Sequence, residues 1–211
     1  MNEVIDYIHT NRDRYLEELK AYLAIPSISA LPQHAGDVRR CAEWTAEEMG
    51  RIGLNNVRLI ETPGNPVVYG DWLGAEGAPT ILFYGHYDVQ PVDPIELWES
   101  PPFEATVRDG EIYARGSADD KGQVFMHFKA IEAHLKKTGK LPVNMKIILE
   151  GEEEVGSANL DNYIKQHNKT ALQQEQRNFA KQTSNATTLR REHRWLPLES
   201  CAPWTTTLNK C

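Results

Sequence analysis

Cysteine is scarce in this chain and is not spaced for structural metal or redox work. There are three, Cys41, Cys201 and Cys211. None forms a CxxC pair, which excludes zinc-finger and thioredoxin-like readings and points to a reducing compartment. Long apolar runs are missing as well. Nothing approaches the roughly 20 apolar residues of a membrane-spanning helix. The charged opening MNEVIDYIHTNRDRYLEEL has no apolar stretch of signal-peptide length. The expectation is a cytosolic (cytoplasmic) protein with no membrane partner, in which Asn168-Lys169-Thr170 and Asn185-Ala186-Thr187 match the glycosylation pattern by chance. Excess positive charge is also lacking. Thirty acidic residues against 23 basic ones leave a formal charge of −7, which argues against nucleic acid as a partner.

What remains is ordinary for a globular protein: 40% apolar and 25% charged residues in 211, enough for one good-sized domain. Ile5, Ile8, Leu16, Leu19 and Leu23 recur at helical spacing and predict a helix over 2–24, ended by Pro26. Further helices are predicted over 37–52, 122–137 and 158–167. Strands are predicted over 57–61, 67–73 and 143–149. Thr80 to Tyr84 is a nearly continuous apolar run, which predicts a strand buried on both faces. Asp109-Gly110 predicts a hairpin turn between Thr106–Val107 and Glu111–Tyr113. Strands alternating with helices predict an α/β fold, a three-layer sandwich with a mostly parallel central sheet.

Composition changes after residue 168. Residues 169–211 contain no Gly, Asp, Val, Ile, Met or Tyr, and seven Lys/Arg against three Glu give this stretch a charge of +4. One reading is a disordered polar extension. The other is sequence not selected to pack, such as an out-of-frame or mis-spliced end, and Trp195, Trp204 and Leu196-Pro197-Leu198 fit it better. The expected division is therefore 1–168 as the folded part and 169–211 as an unrelated tail.

Three segments carry candidate chemistry, each after or beside a predicted strand: Tyr84-Gly85-His86-Tyr87-Asp88, Gly116-Ser117-Ala118-Asp119-Asp120-Lys121-Gly122 and Glu150-Gly151-Glu152-Glu153-Glu154-Val155-Gly156. Functional groups of open α/β sheets gather at the carboxyl ends of strands. His86 and Asp88, two apart, share a face of extended backbone and read either as a metal-binding imidazole with its orienting carboxylate or as a polar strand end with an Asx turn. Asp119-Asp120 reads as a helix cap or as a carboxylate bridging two cations. The glutamate run reads as a solvated loop or as a ligand beside a general base, because crowded carboxylates repel unless a cation or shared proton compensates. The donors are oxygen and nitrogen without sulfur, which suits zinc, manganese or cobalt. His127 and His134, seven apart on one helix, read as an exposed polar face. His9, His34 and His167 read as surface residues, and Trp98 and Phe103 as packing at the core edge.

YGHYDVQPV, WESPPFEATVRDGEIYARGSADDKG and LEGEEEVGS, in that order, resemble the dinuclear-metal metallopeptidases that include carnosinase-type dipeptidases, carboxypeptidase G, acetylornithine deacetylase and succinyl-diaminopimelate desuccinylase. Trp98 to Phe103 and the EGxEExGS form are most similar to the dipeptidase branch. The resemblance covers about residues 1–168. It implies two divalent metal ions, zinc first, with manganese or cobalt as substitutes. It implies His86 as a ligand of one metal, Asp88 as its orienting residue, Asp119 as the bridging carboxylate in a cis Asp119–Asp120 unit, Glu153 as general base and Glu154 as a ligand of the second metal. The implied substrates are small peptides or amides with a free carboxylate.

The chain also departs from that family. An aspartate and a distant histidine that would complete the ligand set have no match; the tail has no Asp, and His193 sits among Arg190, Arg191 and Arg194. By the resemblance, the lid domain through which the family often forms homodimers is also expected to be missing. The expectation is a truncated catalytic domain with weak metal binding and little or no hydrolysis. Two alternatives stand beside it: a non-catalytic fragment that pairs with a full-length relative, and an N-acyl amino acid deacylase.

Overall fold

The computed structural model describes residues 2–165. The tail, His167, His193 and the end of the last predicted helix lie outside the described residues. The helix predicted over 2–24 is two helices, α1 (Asn2–Thr10) and α2 (Arg12–Leu23). They part at Asn11, whose side-chain amide donates to the Tyr7 carbonyl (2.8 Å); such local bonding by Asn competes with helix continuation. Next come α3 (Ala35–Arg51), β1 (Asn55–Ile60), β2 (Val67–Trp72), β3 (Thr80–His86), the hairpin of β4 (Thr106–Arg108) and β5 (Glu111–Tyr113), α4 (Lys121–Thr138) and β6 (Asn144–Glu150). A further helix, α5, is described over 158–165.

The four-stranded sheet has the order β1-β2-β6-β3. β1 with β2 and β2 with β6 pair antiparallel, and only β3 with β6 is parallel. The expectation of a mostly parallel sheet is therefore corrected to a mixed one. The reason is local: the Pro63-Gly64 segment returns β2 directly against β1, whereas β3 and β6 are joined through α4, the connection that parallel strands require.

Helices α2, α3 and α4 bury their apolar stripes against one face of this sheet. Tyr22, Met49 and Phe128 share a single cluster with Val68, Ile147 and Leu149. Where the three helices meet, Lys129 of α4 pairs with Glu18 of α2, Glu48 of α3 and Glu132 of its own helix, and Arg14 adds a bond to Glu132 (2.6 Å).

β3 departs from expectation. Ile81, Leu82 and Tyr84 are 44%, 58% and 49% exposed, so the strand is not buried on both faces. It is the outer strand among the described residues, bonded to β6 alone. Its carboxyl end is nevertheless well placed. His86 is in register with Glu150, so the segments that follow β3 and β6 leave the sheet at the same edge.

Candidate metal centre

His86 ends β3 with its ring almost buried. Nδ1 lies 3.1 Å from the Asp88 carbonyl oxygen and 3.3 Å from Asp88 Oδ1. Nε2 lies 3.0 Å from Asp119 Oδ1 and 4.0 Å from Glu153 Oε2. Burial disfavours the imidazolium, but Asp88, and then Asp120 and Asp119, outweigh it and push the pKa up to about 9. Without a cation both ring nitrogens carry protons at neutral pH. With Nδ1–H directed at Asp88, Nε2 is the nitrogen left to face a cation.

Asp88 is fully buried and acts as a hub. Its Oδ1 accepts from the Glu153 backbone N–H (3.3 Å) and its Oδ2 from that of Glu154 (3.2 Å). The Ser29 hydroxyl donates to Oδ2 at 2.6 Å. One carboxylate thus ties the histidine loop to the glutamate loop. The segment behind it comes from the N-terminal part of the chain. Ile28 bridges to Val89, Val89 N–H donates to the Ser27 carbonyl (3.0 Å), and the Ser27 hydroxyl donates to the Tyr87 carbonyl (2.7 Å). Lys121, also fully buried, holds the same segment by donating to the carbonyls of Tyr22 (3.2 Å) and Ile25 (2.6 Å).

The turn before α4 presents Asp119. The Asp119–Asp120 bond is cis. Asp119's side chain is 75% exposed apart from its contact with His86. Asp120 occupies the N-cap position of α4 but makes no side-chain cap bond; its Oδ2 instead accepts from the His86 backbone N–H (3.2 Å). Gly122 makes the tight turn feasible, because a Cβ there would lie 1.9 Å from the Ser117 carbonyl oxygen. The glycine of the Asp-Asp-Lys-Gly run is thereby set by backbone approach.

The three glutamates divide. Glu153 and Glu154, on a 3-10 turn over Glu153–Val155, offer carboxylate oxygens that lie with a His86 ring nitrogen all within 4.8 Å of one another. Glu154 Oε2 accepts from the Gln90 amide (2.6 Å). Burial raises the Glu154 pKa, the Gln90 bond opposes it, and Asp119 adds repulsion. Glu152 turns the other way, into bonds with Asn65 and Asn159.

The donor set fits a hard to borderline divalent cation: one imidazole nitrogen, several carboxylate oxygens and no sulfur. Asp119 and the half-exposed Glu153 leave the outer side open to a small molecule. The second glutamate cluster, Glu18, Glu48 and Glu132, is crowded as well, but Lys129, Arg14 and Arg51 already neutralise it. His127 is exposed and packs against the Phe83 ring at 4.2 Å.

All five predicted site residues, His86, Asp88, Asp119, Glu153 and Glu154, meet at this edge. Ser29 was missed, and Gln90, Glu152 and Lys121, though inside the quoted segments, were given no role. Gln90 was within reach, since the alternation 86, 88, 90 continues one face of extended backbone. Ser29 and Lys121 carry no local signal, because their partners are 59 and more than 90 residues away.

Comparison with known proteins gives this geometry its context. The model of peptidase family M20/M25/M40 matches residues 82–187, half of the chain, and the chain belongs to that family. It is 34% identical over 146 residues to the cysteinylglycine-S-conjugate dipeptidase of Corynebacterium striatum, covering 69% of this chain and 32% of that one. Among solved structures it is similar to human carnosine dipeptidase 1, with a TM-score of 0.74 and 32% identity over 79% of this chain and 37% of the other. It is also similar to a metallo-carboxypeptidase of the same family from Sulfolobus solfataricus, with a TM-score of 0.67 and 39% identity over 74% and 35% of the two chains. The chain spans about a third of the length of these relatives.

Proposed function

We propose that residues 1–168 form the N-terminal part of a metal-dependent dipeptidase centre. The observation that carries this reading is the convergence of His86, Glu153 and Glu154 ligand atoms within 4.8 Å, with Asp119 Oδ1 at 3.0 Å from the His86 ring. In this reading His86, Asp119 and Glu154 are the residues that would hold two divalent ions, zinc by preference. Asp88 directs the His86 ring. Bound there, the ions supply Lewis acidity that polarises a carbonyl and acidifies water. Glu153, exposed to the open side, takes the proton as water adds to the scissile carbonyl carbon and delivers it to the leaving amine nitrogen. Asp119 and Glu153 leave one side of the site exposed, and a dipeptide or related small amide is the substrate class of this reading.

Catalytic zinc normally keeps three protein ligands, and these residues give each ion the shared Asp119 plus one other. The 211-residue chain is therefore expected to bind metal weakly and to hydrolyse dipeptides slowly or not at all. The test is turnover of dipeptides and of N-acyl amino acids by the purified chain with added zinc or manganese. Efficient dipeptide hydrolysis overturns the expectation of a weak site. Preference for N-acyl amino acids replaces the dipeptidase reading with the deacylase one. Absence of any metal binding removes the metal-centre reading.

A further inference from the structure

We propose that Glu152 is a positioning residue for this centre, clamping the loop that bears Glu153 and Glu154 between the β1–β2 turn and α5. The proposal rests on the metal-centre reading above. Glu152 is 8% exposed, and the side-chain bonds it makes come from neutral donors only. Its carboxylate accepts from the Asn65 backbone N–H (2.9 Å), the Asn159 backbone N–H (3.2 Å) and the Asn159 side-chain amide (2.9 and 3.0 Å). Asn65 grips the same loop a second time through its side-chain amide, which donates to the Gly151 carbonyl (2.7 Å). The Glu152 carbonyl closes the turn by accepting from Val155 N–H (3.1 Å) and Ser157 N–H (2.8 Å).

A buried carboxylate without a cation is tolerated only when its oxygens are well bonded. Glu152 therefore has little freedom to rotate toward the site, and two consequences follow. The backbone at Glu153 and Glu154 is held from one side by Glu152 and from the other by Asp88. A third glutamate carboxylate is also kept out of the cation-binding cluster. The β1–β2 turn reaches Glu152 only because residue 64 is glycine: a Cβ there would lie 1.8 Å from Glu152 Oε1 and 2.6 Å from the Asn159 amide. Gly64 is exposed, belongs to a different element and contacts no candidate ligand, so it offers an independent handle on the clamp.

The experiment measures zinc affinity of the whole 211-residue chain by competition with a chromophoric chelator, alongside thermal melting. The chains compared are wild type, Glu152→Gln, Gly64→Ala and the double variant. Residues that orient metal ligands typically contribute about ten-fold or more in affinity. Glu152→Gln and Gly64→Ala are each expected to weaken zinc binding about ten-fold while melting remains cooperative. The double variant is expected to be no weaker than the poorer single one, because both act on one clamp. Unchanged zinc affinity in both single variants overturns the proposal, as does a loss that appears only together with loss of cooperative melting. Failure of the wild type to bind zinc overturns the metal-centre reading, and the proposal falls with it.

Discussion

Asp88 carries more of the site than any candidate ligand does. It is fully buried and receives the His86 ring, the Ser29 hydroxyl and two backbone N–H groups. Replacing one partner of such a buried charged network leaves the others unsatisfied. Asp88→Ala is expected to cost about 3–5 kcal/mol in urea unfolding and to abolish zinc binding measured by titration calorimetry. Glu154→Gln, which keeps the shape and the neighbours, is expected to leave the unfolding midpoint within error and to weaken zinc binding about ten-fold or more. The motif residues were legible in the sequence because the three segments, in order, resemble the family's motifs; spacing alone left each of them open between a site and a polar turn or cap. The split of the glutamate run came from the resemblance alone, and the place taken by Glu152 did not come from it. Three identical neighbours give no internal sign of which one turns away, and Glu152 is directed by Asn65 and Asn159, the first of them 87 residues earlier.

At the scale of elements, the ionic cluster that joins α2, α3 and α4 sets a pH dependence. Burial works against the charges of Glu18 and Glu132, but bonds from Lys129 and Arg14 outweigh it and hold both carboxyls below their ordinary value of 4.5. Groups depressed in the folded state contribute stability that is fully present above the unfolded pKa and is lost as pH falls through the folded values. Unfolding free energy is therefore expected to decline below about pH 4.5. Lys129→Met should flatten that decline and lower stability at pH 7 by about 3–5 kcal/mol, as read from urea titrations at several pH values. The helices themselves were legible from their 3.6-residue periodicity. The break at Asn11 and the exposure of β3 were not. An apolar run reads the same whether both faces are covered or not, and what covers a strand is decided by its neighbours in the sheet.

For the whole molecule, the exposed side of β3 is the main liability. Ile81, Leu82 and Tyr84 present apolar surface on the strand that is outermost among the described residues, a combination that templates further strand pairing. The chain is expected to self-associate at micromolar concentration in light scattering. Leu82→Lys should shift it toward monomer without altering the far-ultraviolet circular dichroism. A monodisperse wild-type chain that melts cooperatively would count against this.

The family match begins at residue 82, and every candidate ligand lies beyond it. The wall behind the site is built much earlier, from Ser27, Ile28 and Ser29. Ligand inventory and site integrity therefore obey different boundaries. A chain that started at Leu31 would retain His86, Asp88, Asp119, Glu153 and Glu154, and with them every motif by which the family is recognised. It would lack the Ser29 hydroxyl on Asp88, the Ser27 carbonyl that receives Val89 and the carbonyls that anchor Lys121. Such a shortened chain would keep the same candidate ligands as this one and lose the backing segment they are held against.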